Sequence, residues 1–123
     1  MKAGDIIGPL TKPPITKKQL AMYAGASGDF NPIHYDHQFA TDGGYPSVIA
    51  HGMLSMAFFG QLLAPWRVQR ISTRFKAVTF PGDEVTVSGE VVSVAENTAE
   101  IKLTAKTQAG TLTLEGSATI ELG

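Results

Sequence analysis

The segment over residues 52–64 constrains the fold most, because it reads as a helix with almost no polar face. Its side chains are nearly all apolar, and Pro65 ends the helix because proline cannot continue the backbone hydrogen-bond ladder. A helix that is apolar all round is expected to be buried on every side rather than to lie on a surface. The rest of the chain must therefore cover it.

The chain after Pro65 can supply that cover, since apolar and polar residues alternate along it with period two. Such alternation predicts half-buried β-strands. A change of phase at Val91-Val92 indicates a bulge. We expect four consecutive antiparallel strands joined by short turns, a meander. Their approximate ranges are residues 71–77, 85–92, 99–105 and 112–120.

The chain before the apolar helix is helical and rich in loops. Thr16 and Gln19 have the spacing of a capping box, which predicts a helix over residues 17–24. Asn31-Pro32 reads as a turn that stops this helix, and a short second helix is predicted over residues 37–41. One α+β domain over residues 1–123 accounts for the whole pattern, with an antiparallel sheet curled around one long buried helix in a hot-dog fold.

Charge and composition exclude several classes of function. The net charge is -1 and no cluster of Lys or Arg occurs, so we expect no binding to nucleic acid or to an anionic membrane. The absence of cysteine excludes disulfides and thiolate metal ligands. The longest apolar stretch is too short to span a bilayer, and the first ten residues lack the apolar core of a signal peptide. We therefore expect a cytoplasmic protein.

Two short motifs carry the chemistry. The first is Asp29-Phe30-Asn31-Pro32-Ile33-His34, and the second is Ala50-His51-Gly52-Met53-Leu54. Together they resemble the MaoC-like family, which includes the (R)-specific enoyl-CoA hydratases and the β-hydroxyacyl dehydratases of fatty-acid elongation. The stretch over residues 74–83, with its Pro-Gly-Asp turn, is also similar to the family, so the resemblance covers essentially the whole chain.

The resemblance implies that Asp29 and His34 form a catalytic pair and that the backbone N–H of Gly52 binds the thioester carbonyl. The implied reaction is the reversible hydration of a trans-2-enoyl thioester to its (R)-3-hydroxyacyl form. Chemistry makes the same demand, because a carboxylate and an imidazole can share one water and move both protons. No metal or redox cofactor is expected, and coenzyme A or the phosphopantetheine of an acyl carrier protein is the substrate carrier.

Six further residues are expected to bind substrate or shape the site. Asn31 orients the loop, His51 supports the turn before Gly52, and Met53 contributes to an acyl channel. Tyr45 and Val48 precede that turn and are expected at the border of the pocket, although packing in a surface loop explains them equally well. Arg74 is a candidate for contact with the carrier's phosphates, the alternative being a solvated strand face. No spacing matches a common zinc site.

Alternatives to a self-sufficient hydratase remain open. Some family members place a serine on the buried helix where this chain has Gly60, which favours the dehydratase branches. Other hot-dog proteins are thioesterases that carry a carboxylate on the long helix, and residues 52–64 contain none. The chain is expected to form a homodimer, or to be the catalytic subunit of a heterodimer with another hot-dog protein. A short sheet with open edges favours such pairing.

Overall fold

A computed structural model describes residues 1–123, which form five strands, three α-helices and one short 3-10 helix. The helices are α1 (Lys17–Ser27), the 3-10 helix (Pro32–His34), α2 (His37–Asp42) and α3 (Gly52–Leu62). The strands are β1 (Ile6–Thr11), β2 (Arg67–Phe75), β3 (Thr86–Ala95), β4 (Thr98–Lys106) and β5 (Leu112–Glu121). No helix is long and apolar enough to cross a membrane.

One antiparallel sheet with the strand order β1-β3-β4-β5-β2 packs against α3. Phe58 and Phe59 of α3 are buried against the apolar inner face of the sheet, where Val87, Ile101 and Leu103 are fully covered. Removal of this apolar surface from water is the main force that holds helix and sheet together. The predicted α+β hot-dog fold is confirmed.

The predicted four-strand meander is wrong in one respect, because β2 does not pair with β3. It lies at the far edge of the sheet and pairs with β5, with Ile71 opposite Ala118. The connection over residues 76–85 is longer than a hairpin turn, and its first two amides continue along β5 by donating to the carbonyl of Thr113. A long connection allows the chain to cross the sheet, which alternation within single strands does not reveal. The predicted bulge is confirmed by a register shift between Val91 and Ser93.

The N-terminal strand β1 was not predicted. Gly8 and Pro9 lie in its middle and interrupt the alternation, and the register with β3 shifts between Ile7 and Leu10. Gly8 has a φ of 86°, and a Cβ there would lie 2.8 Å from the Leu62 side chain of α3. Glycine therefore lets β1 bend closely over the end of the helix.

Helix α3 is not buried on every side, contrary to the expectation from its composition. One face packs on the sheet, while Met53, Ala57, Gly60 and Gln61 are exposed on the other. A single sheet covers only one side of a helix, so the opposite side stays open in one chain. We call Met53, Ala57 and Gly60 the exposed stripe of α3.

Candidate active site

The loop that carries Asp29 and His34 is fixed by local hydrogen bonds. Helix α1 ends at Gly28, whose left-handed φ of 76° turns the chain away from the helix axis. The Asp29 carboxylate accepts from the backbone N–H of Asn31 at 3.3 Å, and the Asn31 side chain accepts from that of Ile33 at 3.1 Å. These two Asx-type bonds lead into the 3-10 helix that ends at His34.

The His34 ring is oriented by the backbone. Its Nδ1 lies 2.8 Å from the carbonyl oxygen of Ile49, and a carbonyl only accepts, so Nδ1 carries the hydrogen. In the neutral ring Nε2 is then an acceptor, and it lies 3.7 Å from Oδ2 of Asp29. That separation exceeds a direct hydrogen bond but suits one shared water. The Asp29 side chain is 53% exposed and that of His34 only 10%, so water reaches the pair from the Asp29 side.

His51 lies beneath His34 and connects the loop to α3. The two rings are stacked with centroids 3.7 Å apart, and the Tyr23 ring meets His51 edge-on with centroids 4.8 Å apart. The Nε2 of His51 donates to the backbone carbonyl of Asp29 at 3.2 Å. Burial lowers the pKa of His51, and the hydrogen bond to Asp29 offsets this only in part. His51 is therefore a neutral, buried support for both members of the pair.

Gly52 begins α3 directly after His51. The backbone N–H groups of Gly52 and Met53 donate no hydrogen bond within the chain, as is usual in the first turn of a helix. The helix dipole gives this end a partial positive charge that favours a developing negative oxygen. A Cβ at Gly52 would lie 2.8 Å from the Phe75 ring, so glycine lets this ring pack directly against the start of the helix.

Asp29, His34, His51, Gly52 and Met53 open onto one pocket of about 460 Å³. The remaining lining residues are mostly small or apolar, and they come from the segment before α3, from α3, from the end of β2 with the connection after it, and from β5. They are Ile49, Ala50, Ser55, Phe75, Lys76, Ala77, Val78, Thr79 and Leu114. The site thus combines a carboxylate and an imidazole, free backbone donors and an apolar lining.

Four of the residues expected at the site do not line this pocket. Asn31 is exposed and its side chain caps the 3-10 helix, while Val48 is buried in the core. Tyr45 packs half-buried against the core. Arg74 points to the other face of β2, where it lines a polar depression with Lys102 and Glu115. Side chains alternate along a strand, and this alternation places Phe75 at the pocket and Arg74 away from it.

The fold brings two further polar residues to the pocket, Ser55 and Lys76, which the predicted set of site residues did not contain. Ser55 lies four residues after His51, which places the two on one side of α3. Lys76 directly follows β2 at the rim of the pocket, and its Nζ lies 3.2 Å from a carboxylate oxygen of Glu115. The helical spacing could have indicated Ser55.

Gly60 lies on the exposed stripe with open space around it, so no side chain at that position lines the pocket within one chain.

Asp29, His34 and His51 are also residue types that bind metal ions. One ligand atom each from Asp29, His34 and His51 lie within 4.8 Å of one another. An imidazole binds a metal in the plane of its ring, however, and the stacked rings of the two histidines have nearly parallel planes, inclined by 19°. One ion cannot lie in both planes at bonding distance, so the arrangement suits proton transfer better than metal binding.

These features define a hot-dog protein in which a carboxylate and an imidazole share a pocket with the N-terminus of the central helix. A profile of the family described as a MaoC like domain matches residues 7–112. The (R)-specific enoyl-CoA hydratase of Aeromonas caviae is 36% identical over 112 residues, which is 85% of this chain and 84% of that protein. The chain therefore belongs to the MaoC-like family, and the expected enzyme class, a hydro-lyase, is confirmed.

Solved structures agree with this assignment. A structure described as the (R)-hydratase from A. caviae involved in PHA biosynthesis superposes with a TM-score of 0.92 and 33% identity, covering 100% of this chain and 98% of that one. The HadBC (3R-hydroxyacyl-ACP dehydratase) complex from Mycobacterium tuberculosis matches with a TM-score of 0.78 over 98% of this chain and 97% of that one. At 17% identity it shows the fold alone. Other relatives are longer, and the chain spans only 5% and 24% of the length of two of them.

Proposed function

We propose that the protein catalyses the reversible hydration of a trans-2-enoyl thioester to the (R)-3-hydroxyacyl thioester. The observation that carries this proposal is the convergence of three groups on one pocket. They are the Asp29 carboxylate, the Nε2 of His34 at 3.7 Å from it, and the backbone N–H of Gly52, which donates no hydrogen bond within the chain. Hydration requires a proton acceptor for water, a proton donor to carbon and a donor to the enolate oxygen.

In the proposed reaction one water lies between Asp29 and His34 and donates a hydrogen bond to each acceptor. Its oxygen forms a bond to the β-carbon while the pair accepts one of its protons. The electrons of the double bond move towards the thioester carbonyl, and the N–H of Gly52 stabilises the resulting enolate oxygen. The proton held by the pair then bonds to the α-carbon, so that H and OH have been added across the double bond. General acid–base catalysis raises the rate about 10²–10⁴-fold, and an oxyanion donor raises it about 10²–10³-fold.

The carrier is proposed to be coenzyme A or the phosphopantetheine of an acyl carrier protein, with no metal or redox cofactor. Lys76 is the better candidate for the carrier's phosphate, because it lines the pocket and Arg74 does not. To bind a phosphate, its Nζ must leave Glu115, which lies with Arg74 on the opposite face of β2. A cation at the entrance can bind a phosphate while the acyl chain enters the apolar interior.

A dimer is proposed as the working form, either of two copies or with a second hot-dog subunit. The exposed stripe of α3 is apolar, and β1 and β2 are edge strands with one unpaired side each. Met53 belongs to the stripe and also lines the pocket, so a partner on this face would border the site. Light scattering on the purified chain distinguishes a homodimer from a monomer that awaits another subunit.

The test of the proposed activity follows the enoyl thioester absorbance of trans-2-enoyl-CoA substrates of increasing chain length, with free thiol measured in parallel on saturated acyl-CoA. Loss of enoyl absorbance without release of thiol is the expected result. Release of thiol without consumption of enoyl-CoA would instead identify a thioesterase, although α3 lacks the carboxylate which that reading requires.

A further inference from the structure

Two buried polar atoms in this chain have no hydrogen-bond partner, Nδ1 of His51 and Oγ of Ser55. His51 is 2% exposed and Ser55 is 1% exposed. Buried polar side chains in folded proteins are almost always hydrogen-bonded, as His34 and Thr113 are here. Two unpartnered atoms at one place therefore indicate that something absent from the chain itself bonds to them.

The two residues lie at the start of α3 beside the active-site pocket. His51 precedes α3 and Ser55 follows four residues later, a spacing that places both on one side of the helix. Both residues line the pocket that also contains Asp29 and His34. A Ser hydroxyl within a helix often bonds to the carbonyl four residues earlier, but Ser55 makes no such bond. Its hydroxyl is therefore enclosed and has no partner within the chain.

The chemistry of the missing group follows from the protonation of His51. Because Nε2 donates to the carbonyl of Asp29, the neutral ring has no hydrogen on Nδ1, which can only accept. Burial lowers the pKa of His51 and thus favours this neutral form. The group must donate a hydrogen to Nδ1 and can donate to or accept from Ser55. An alkyl chain, a double bond and a thioester carbonyl offer no such hydrogen, whereas an O–H group does.

We infer that His51 and Ser55 form a polar subsite beside Asp29 and His34 that binds an O–H group, supplied either by an ordered water or by a hydroxyl on the acyl chain of the substrate. This inference rests on the proposed function and adds to it a determinant of substrate choice. If the acyl chain supplies the hydroxyl, hydroxylated enoyl thioesters are the preferred substrates. If water supplies it, the water is a fixed part of the pocket.

The test compares the wild type with Ser55→Ala and with His51→Gln, which keeps a donor for the Asp29 carbonyl but removes Nδ1. The exposed Ser93→Ala serves as the matched control. Each protein is assayed with trans-2-hexenoyl-CoA and with analogues hydroxylated on the fourth, fifth or sixth carbon. A crystal structure of the ligand-free wild type is determined in parallel.

If the substrate supplies the O–H group, the wild type prefers one hydroxylated analogue by about tenfold in kcat/KM, and Ser55→Ala and His51→Gln reduce that ratio towards one. If water supplies it, electron density for water lies within about 3 Å of both atoms, and Ser55→Ala lowers kcat by a similar factor on every substrate. Ser93→Ala behaves as the wild type in both cases.

Empty density at the subsite, together with equal substrate ratios and unchanged kcat in Ser55→Ala, would overturn the inference. A failure of the proposed function looks different. The wild type would then hydrate none of the thioesters, while the ligand-free crystal structure would still report whether the subsite holds a water.

Discussion

The imidazole rings of His34 and His51 lie stacked, with centroids 3.7 Å apart and planes inclined by 19°. The lower ring, His51, also donates to the backbone carbonyl of Asp29, so one side chain supports both members of the proposed catalytic pair. His51 directly precedes Gly52, whose N–H is the proposed oxyanion donor. The geometry of the pair is thereby coupled to the start of α3, and several consequences can be measured.

Replacement of His51 by alanine should weaken both stability and catalysis. The change leaves a cavity beneath His34 and removes the donor to the Asp29 carbonyl, so the free energy of unfolding should fall by about 1–3 kcal/mol. We expect kcat to fall more than KM changes, because the pair loses its alignment rather than its affinity for substrate. Urea unfolding and steady-state kinetics check this. The exposed His37→Ala is the control, and equal behaviour of the two variants would contradict the supporting role of His51.

The lowered pKa of His51 makes stability depend on pH. The unfolded chain binds a proton at His51 below its ordinary pKa of 6.5, while in the folded chain burial keeps the ring neutral to lower pH. The unfolded state then holds more protons, so the contribution of His51 to stability is full above pH 6.5 and is lost as the pH falls through the window below it. The groups that face His51 are the His34 ring, the Tyr23 ring and Asp29. Thermal melts between pH 8 and 5.5 should show a steeper decline in Tm for the wild type than for His51→Gln, and parallel curves would refute this.

Substitution of Gly52 by alanine should damage catalysis far more than folding. The added Cβ would lie 2.8 Å from the Phe75 ring, which is largely exposed and free to shift, and it would crowd the approach of the thioester to the N–H. We expect kcat/KM to fall by about 10²-fold, as for loss of an oxyanion donor. Gly25→Ala in α1 is the control, since nothing lies near its Cβ and alanine should stabilise the helix by about 1 kcal/mol. Full activity of Gly52→Ala would rule out the proposed oxyanion site.

Loss of the Lys76 charge should weaken binding of the carrier and leave the rate of the chemical step unchanged. We expect Lys76→Ala to raise KM for a coenzyme A thioester by about tenfold, through loss of one charge-assisted hydrogen bond, with kcat unchanged. The same variant should bind a pantetheine thioester without the nucleotide as well as the wild type does. Arg74→Ala is the matched control on the opposite face of β2. A larger effect of Arg74→Ala than of Lys76→Ala would reverse this assignment.

The sequence predicted the local features of this protein well and its long-range pairing poorly. The Thr16 cap is formed as expected, with its side chain accepting from the backbone N–H of Gln19 at 3.0 Å, because capping depends on residues close in the chain. The edge position of β2 was missed, since pairing with β5 is set by how the sheet closes over α3 and not by alternation. β1 was missed because Gly8 and Pro9 hide its pattern.

The site residues divide in the same way, into those set by nearby residues in the chain and those set by long-range pairing. Asp29 and His34 lie within one short motif, and the loop between them fixes their separation, so the motif alone indicated them. Lys76 and Phe75 reach the pocket only because β2 ends there. Arg74 was a candidate either for contact with the carrier's phosphates or for a solvated strand face, because the sequence does not show which side chains of a strand turn inward. It lies on the face of β2 that points away from the pocket.

The most direct test of the central claim is the initial rate of trans-2-enoyl-CoA hydration by Asp29→Asn and His34→Ala. The matched controls are Asp42→Asn and His37→Ala, exposed residues of the same types in α2, and circular dichroism verifies folding. The proposed mechanism predicts that the wild type hydrates the substrate. It predicts that the initial rate of Asp29→Asn and of His34→Ala is at least about 100-fold lower, and that both controls stay within about twofold of the wild-type rate. Near-wild-type turnover by either variant of the pair would contradict the mechanism.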